Sequence, residues 1–197
     1  DSLIVIRPGK KTDTKIISLD SLRNFTSGAG SLSTNDWQSV EKVEGVASVA
    51  PVGVISGIAS YQDKEYTGSI IASTDTLPLF LNQKVEYGNF FSEASGDKKV
   101  AIIGRDVAEK LFEENVPIGK KLSIRGVEYT VAGVFELQNS STFAAININS
   151  SIVIPISTAK DISENVQLLQ LFVQAKDSGN VGPTAELIKS TLKNNHA

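Results

Sequence analysis

Apolar positions along this chain recur with period two in some stretches and with period three to four in others. The clearest alternation of the two runs from Val100 to Glu136. Val100 to Ile103 is a short apolar run rich in β-branched residues, which suits a buried strand. Gly104 ends it. Asp106 and Glu109 follow in a first helical turn, where carboxylates oppose the positive end of the helix dipole. Val107, Ala108, Leu111 and Phe112, spaced i, i+1, i+4, i+5, form one apolar stripe and are assigned to the core. Asn115 and Pro117 close the helix, because proline cannot continue it. Pro117-Ile118-Gly119 reads as a turn. Leu122 and Ile124, then Val127, Tyr129, Val131, Gly133 and Phe135, alternate with more polar neighbours on either side of Arg125-Gly126. Period two around a glycine-bearing turn predicts a hairpin with one face wetter than the other.

The same reading extends over the rest of the chain. Ser2 to Ile6 is a short strand stopped by Arg7-Pro8-Gly9. Lys11 to Ser33 shows no convincing period, and Ser27-Gly28-Ala29-Gly30-Ser31 reads as a joint. Its G-x-G lacks the rest of a phosphate-loop fingerprint. Thr34 is expected to cap a helix to about Val43, with Trp37, Val40 and Val43 inward and Gly45 as its stop. Val46 to Ile58 is a long β-branched run in which Pro51 implies an edge or a bulge. Asp63-Lys64 turns the chain into a returning strand, Glu65 to Ser73, and Asp75 to Phe80 is a short helical turn. Asn82 to Gly96 reads as a loop anchored by Tyr87, Phe90 and Phe91. Leu137 to Ser150 is polar and low in complexity. Ser151 to Ile156 is a strand, and Ser157 caps a short helix. Gln167 to Ala175 is a strand with Leu169, Leu171, Val173 and Ala175 on one apolar face. A last helix starts at Pro183 or Thr184, with Ala185, Ile188 and Leu192 sharing a face and Leu187 beside them.

This layout predicts an α+β fold in two parts. Residues 1–75 and 151–197 form an open sheet backed by helices, split in sequence. Residues 76–150 form an inserted β-rich subdomain carrying one helix.

Composition narrows the chemistry. The 197 residues carry 19 basic and 22 acidic side chains, mixed along the chain, for a net charge of -3, which argues against a nucleic-acid partner. No run of about 20 apolar residues occurs to span a membrane. With no cysteine, a disulfide scaffold, a cysteine nucleophile and a zinc ribbon are excluded. The single histidine, His196, stands one residue from the end, where a catalytic imidazole would fray. No dense alternation of carboxylates suggests a calcium loop, and adjacent Glu113 and Glu114 read as solvated charges. No catalytic residue, metal ligand or cofactor site is assigned. There is no methionine, even at position 1, so the chain reads either as a loop cut from between membrane helices or as a mature secreted domain.

The segments VAIIGRDVAEKLF (100–112) and PIGKKLSIRGVEYTVAGVFE (117–136) resemble the signature of the MacB-type periplasmic core domain, the extracytoplasmic loop of a class of ABC transporter permeases. YGNFF (87–91) is similar to that family's G-R-x-F element, from which it departs at Asn89, where arginine is usual. SIVIPIS (151–157) resembles the family's strand ending in I-P, and LKNNH (192–196) the point where the loop meets the next membrane helix. The resemblance implies that 1–75 and 151–197 are membrane-proximal, that 76–150 is distal, and that the domain lies on the extracytoplasmic face of the bacterial cytoplasmic membrane. It also implies membrane helices of the same permease, a second permease copy in a homodimer, and a cytoplasmic ATPase that binds the ATP. The domain itself would be non-catalytic and would transmit ATP-driven motion.

In that setting the polar loop, with Asn139, Ser140, Ser141, Thr142, Phe143, Asn147 and Asn149, is a candidate contact for an adaptor protein or a peptide, lipid or drug substrate. Its alternative reading is a disordered loop. Two rival functions remain: a stand-alone cell-surface module binding a peptide or cell-wall component, and an enzyme with an unrecognised carboxylate site.

Overall fold

The computed structural model describes residues 3–7, 32–81, 83–92, 94, 98–139, 147–164 and 166–196. The Gly28–Gly30 joint and loop residues Ser140 to Phe143 lie outside them. The fold is mixed α/β, built on sheet with few helices. It divides into two units, Asp1–Val52 with Gln167–Ala197, and Gly53–Val166.

In the first unit, strand β1 (Leu3–Ile6) pairs antiparallel with β11 (Gln167–Ala175), Leu3 opposite Gln174 and Ile6 opposite Leu171. The early part of β2 (Val46–Ile55) lies on the other side of β11. Helices α1 (Thr34–Glu41) and α5 (Val181–Asn195) pack on each other. The cap of α1 is Ser33, one residue before the expected Thr34. Ser33 and Asp36 exchange side-chain to backbone bonds in a capping box, at 3.1 and 2.8 Å. Val40 is buried as expected, but Trp37 and Val43 are only half-buried, and the Trp37 indole donates to Glu41 at 2.7 Å. Gly45 ends the segment at φ +93°, and a β-carbon there would lie 2.4 Å from Thr184 Oγ1. Helix α5 begins two residues before Pro183, which therefore sits in the first turn, where its missing N–H costs nothing. Ala185 and Ile188 are buried, Leu192 is half-buried, and Leu187 is exposed rather than beside them.

The second unit takes the end of β2. Its Gly53–Ile55 pairs antiparallel with β5 (Ser69–Ser73), just after Pro51, which has no N–H to give. Strand β10 (Ser151–Pro155) runs parallel to β5 and antiparallel to β7 (Val100–Ile103). Strand β7 runs parallel to β9 (Val127–Phe135), whose other side is taken first by β8 (Lys121–Ile124) and then by β6 (Val85–Gly88). The hairpin β3 (Ala59–Tyr61) and β4 (Lys64–Tyr66) extends the sheet beyond β8. The expected single strand Glu65 to Ser73 is thus two strands, broken at Thr67-Gly68. Strand β6 falls in what reads as a loop, because its residues alternate between exposed and half-buried and carry no apolar run. The β8–β9 turn has both Arg125 and Gly126 at positive φ, 50° and 80°, the geometry of tight hairpins.

The helix after Gly104 starts as α3 (Arg105–Val107) and continues as a π-helical turn, Ala108–Phe112. Glu113 closes it in the left-handed region at φ 56°, short of Asn115. The stripe Val107, Ala108, Leu111 and Phe112 is buried in the unit's core with Ile103, Leu122, Ile124, Tyr129, Val131 and Ile154. The remaining helices are short, α2 (Pro78–Leu81) and α4 (Ile156–Ala159). Residues 53–75 and 151–166 share the second unit with 76–150, because β5 and β10 pair with each other and β10 pairs with β7.

Candidate functional site

The polar loop leaves β9 at Glu136 and returns through a 3₁₀ turn, Ile148–Ser150. Its two ends are clamped by side chains. The Gln138 backbone N–H donates to Asn149 Oδ1 at 2.8 Å, and Asn149 Nδ2 donates back to the Gln138 carbonyl at 3.0 Å. The Ile148 N–H donates to Gln138 Oε1 at 3.1 Å. The Asn147 carbonyl accepts from Ser150 Oγ and Ser151 Oγ at 3.2 and 2.7 Å. Asparagine can supply both a donor and an acceptor, which is why one residue mimics a strand pairing here.

The returning backbone sits in a slot between two glycines. A β-carbon on Gly104 would lie 1.9 Å from the Ile148 carbonyl oxygen and 2.4 Å from that of Asn149. One on Gly68 would lie 2.5 Å from the Ser150 carbonyl oxygen. Gly104 N–H donates to Ser151 O at 2.9 Å, and the Tyr66 hydroxyl donates to Ser150 O at 3.3 Å. Burial, and then the negative charge of Asp106, push the Tyr66 phenol above its ordinary value, so it stays a donor at neutral pH. Ile148 and Ser151 are fully buried.

Of the seven candidate residues, Asn147 and Asn149 make bonds at the loop base, Asn139 follows the clamped Gln138, and Ser140, Ser141, Thr142 and Phe143 lie outside the described residues. Asn139 and Asn147 are exposed, whereas Asn149 spends its amide on the clamp. The clamp partner Gln138 was not singled out from the sequence. A glutamine in a polar run carries no signal of its own until its partner ten residues on is known.

The other chemistry-bearing residues are engaged singly. Glu113 pairs with Lys64, and Glu114 with Lys120 at 3.1 Å, so the adjacent carboxylates serve different lysines. Arg105 pairs with Glu86 and lies 5.8 Å over the Tyr87 ring. Phe91 is buried and stacks on Phe90 at 4.3 Å. Tyr129, fully buried, bonds Thr158 Oγ1 at 2.9 Å. Burial raises its phenol above the ordinary value, the Thr158 bond opposes this, and the charge of Asp161 adds to the rise. His196, at the C-terminal cap of α5, has its Nε2 2.8 Å from Asp36 Oδ2. The serines nearby serve that junction, Ser33 Oγ accepting from the Asp36 N–H and Ser39 Oγ bonding Asn195 Nδ2. Among the described residues no group of three or more histidines and carboxylates could hold a metal ion, and no helix is long and apolar enough to cross a membrane.

Known proteins give this geometry a context. The macrolide export ATP-binding/permease protein MacB of Rhodospirillum rubrum is 27% identical over 171 residues, 84% of this chain and 26% of that protein. The pyoverdine export ATP-binding/permease protein PvdT of Pseudomonas aeruginosa is 30% identical over 132 residues, 66% of this chain and 20% of that protein. The chain therefore spans about a quarter or less of the length of these relatives. The fold is shared with the periplasmic region of MacB from Actinobacillus actinomycetemcomitans, at a TM-score of 0.78 and 17% identity over 99% of this chain and 84% of that one. It is shared also with the extracellular domain of the noncanonic ABC-type transporter YknZ from Gram-positive bacteria, at 0.74 and 20% over 98% and 94%. The family of MacB-like periplasmic core domains matches residues 1–191, and this chain belongs to it.

Proposed function

We propose that this chain is the extracytoplasmic domain of a MacB-like ABC transporter permease and that it carries ATP-driven motion of membrane helices to the outer face. The observation that supports this best is the composition of the first unit. The first and last described elements, β1 and α5, belong to one packed body with β11 and α1. A body that is to be moved by two attachments needs them on one rigid piece, because a floppy connection dissipates displacement. On this reading that unit is membrane-proximal. The domain is non-catalytic, and its partners are membrane helices of the same permease, a second permease copy and a cytoplasmic ATPase. The clamped polar loop, through Asn139, Ser140, Ser141, Thr142, Phe143 and Asn147, meets an adaptor protein or a peptide, lipid or drug cargo. Asn149 holds the loop's base.

Two tests address the two parts of the reading. The parent reading frame should encode about 20 apolar residues shortly before Asp1 and again soon after Ala197. A single cleavable signal with a stop codon near Ala197 would instead favour a stand-alone surface binding module. Deleting residues 140–145 from the full-length protein should leave the thermal midpoint unchanged, because Gln138 and Asn149 remain. It should impair export or partner binding. Unaltered export would leave the loop without a role.

A further inference from the structure

Asp36 is fully buried, yet its carboxylate serves residues from both ends of the chain. Oδ2 accepts from the Ser33 N–H at 2.8 Å and lies 2.8 Å from His196 Nε2. Oδ1 accepts from Asn195 Nδ2 at 3.2 Å, and that same nitrogen is 3.0 Å from Ser39 Oγ. Burial alone would raise the Asp36 pKa. The bonds from Ser33, His196 and Asn195 outweigh it and hold the carboxyl below the ordinary aspartate value. Asp36 is therefore ionised at neutral pH and can only accept, so His196 must carry its proton on Nε2.

A capping box requires only Ser33 and Asp36. The other two donors come from 159 and 160 residues away and are the last side chains described on α5 and at its C-terminal cap. A buried carboxylate is costly unless its lone pairs are filled, so losing those donors leaves the start of α1 with an under-satisfied charge. Losing the carboxylate leaves the last turn of α5 with the Asn195–Ser39 bond but without the two made to a charge. The other recorded side-chain bonds to charges on these helices are made elsewhere, Glu41 to Trp37 and Lys189 to Glu186.

We propose that Asp36 is a latch that fastens the end of α5 to the start of α1, so that the two helix ends order and loosen as one. The inference concerns this fold and does not rest on the transport reading. Its consequence is that a displacement applied at the end of α5 reaches α1 directly.

Solvent-exchange NMR on the 197-residue chain tests this. Replacing both Asn195 and His196 by alanine should speed amide exchange about tenfold in two places at once, residues 192–196 and residues 34–37, with β7 unchanged. Asp36→Asn should do the same, and the triple variant should show no more than either alone, since one linkage is lost in each case. Faster exchange confined to the end of α5, with α1 unaffected, overturns the latch. So does a triple variant whose effects multiply to about a hundredfold. If Asp36→Asn does not fold, the alanine pair at the exposed end of α5 decides the matter alone.

Discussion

Each unit fastens segments that are remote in sequence, and the two fastenings work by different physics. In the second unit the 148–150 backbone is wedged between Gly68 and Gly104, with Ile148 buried beneath it. Shape holds it: the space beside each glycine is already filled by carbonyl oxygen. In the first unit the start of α1 and the end of α5 meet through one carboxylate and its three donors. There, charge and hydrogen bonds hold the contact. The wedge should be sensitive to volume and indifferent to pH, and the latch the reverse. A wedge suits the base of a loop that must present residues at a fixed place. A latch can be released without repacking a core.

The sharpest way to break the wedge is Gly104→Ala. Gly104 has φ -77° and ψ 168°, which any residue adopts, so backbone strain plays no part. The whole effect is the collision of the new methyl with two carbonyl oxygens that cannot rotate away. We expect a loss of about 3 kcal/mol or more in denaturant unfolding, at or above the usual range for overpacking. A variant of unchanged stability would mean that the 148–150 turn moves freely, and the contrast with the latch would disappear.

Asn149→Ala attacks the same region without adding volume. It removes one acceptor and one donor and leaves the part-buried Gln138 N–H without its partner. We expect about 1–3 kcal/mol, less than Gly104→Ala. The wedge should survive, so amide exchange should rise at Gln138 and Ile148 but not at Gly104. Equal acceleration at Gly104 would show that the clamp, and not the glycine slot, seats the turn.

These two sites also show what was legible in the chain. The β7 run, the Val107–Phe112 stripe and the Arg125-Gly126 hairpin are local patterns, and each is found at its expected place. Which strands pair over long separations, as β5 and β10 do, is a choice that no local pattern encodes. Strand β6 escaped because it buries no residue fully and carries no apolar run to mark it as a strand. Gly104 was legible as the end of a strand but not as the wall of a slot, since the obstructing carbonyls belong to residues more than 40 positions on. The burial of Asp36 had no local sign either. A carboxylate in a first helical turn reads as a solvated partner of the dipole. Here it is the most deeply buried charge of α1, because its donors arrive from the far end of the chain.

The smallest expected effect lies in the pH dependence of the first unit. The folded-state pKa of Asp36 lies below the ordinary 3.8. Between the folded and unfolded values the unfolded chain binds the extra proton, so stability falls as pH is lowered through that window and is fully present above it. Protonation also turns an acceptor oxygen into a donor facing the Ser33 N–H, Asn195 and His196. Acidification below about pH 3.8 should therefore loosen the ends of α1 and α5 before it affects the 148–150 turn. Amide exchange followed down this range in the original chain and in Asp36→Asn would separate the two fastenings. The original should show extra acid sensitivity confined to residues 34–37 and 192–196, and the variant should lack it. If the 148–150 turn loosens at the same pH as the helix ends, the two regions unfold together under acid and the distinction between shape and charge fails there.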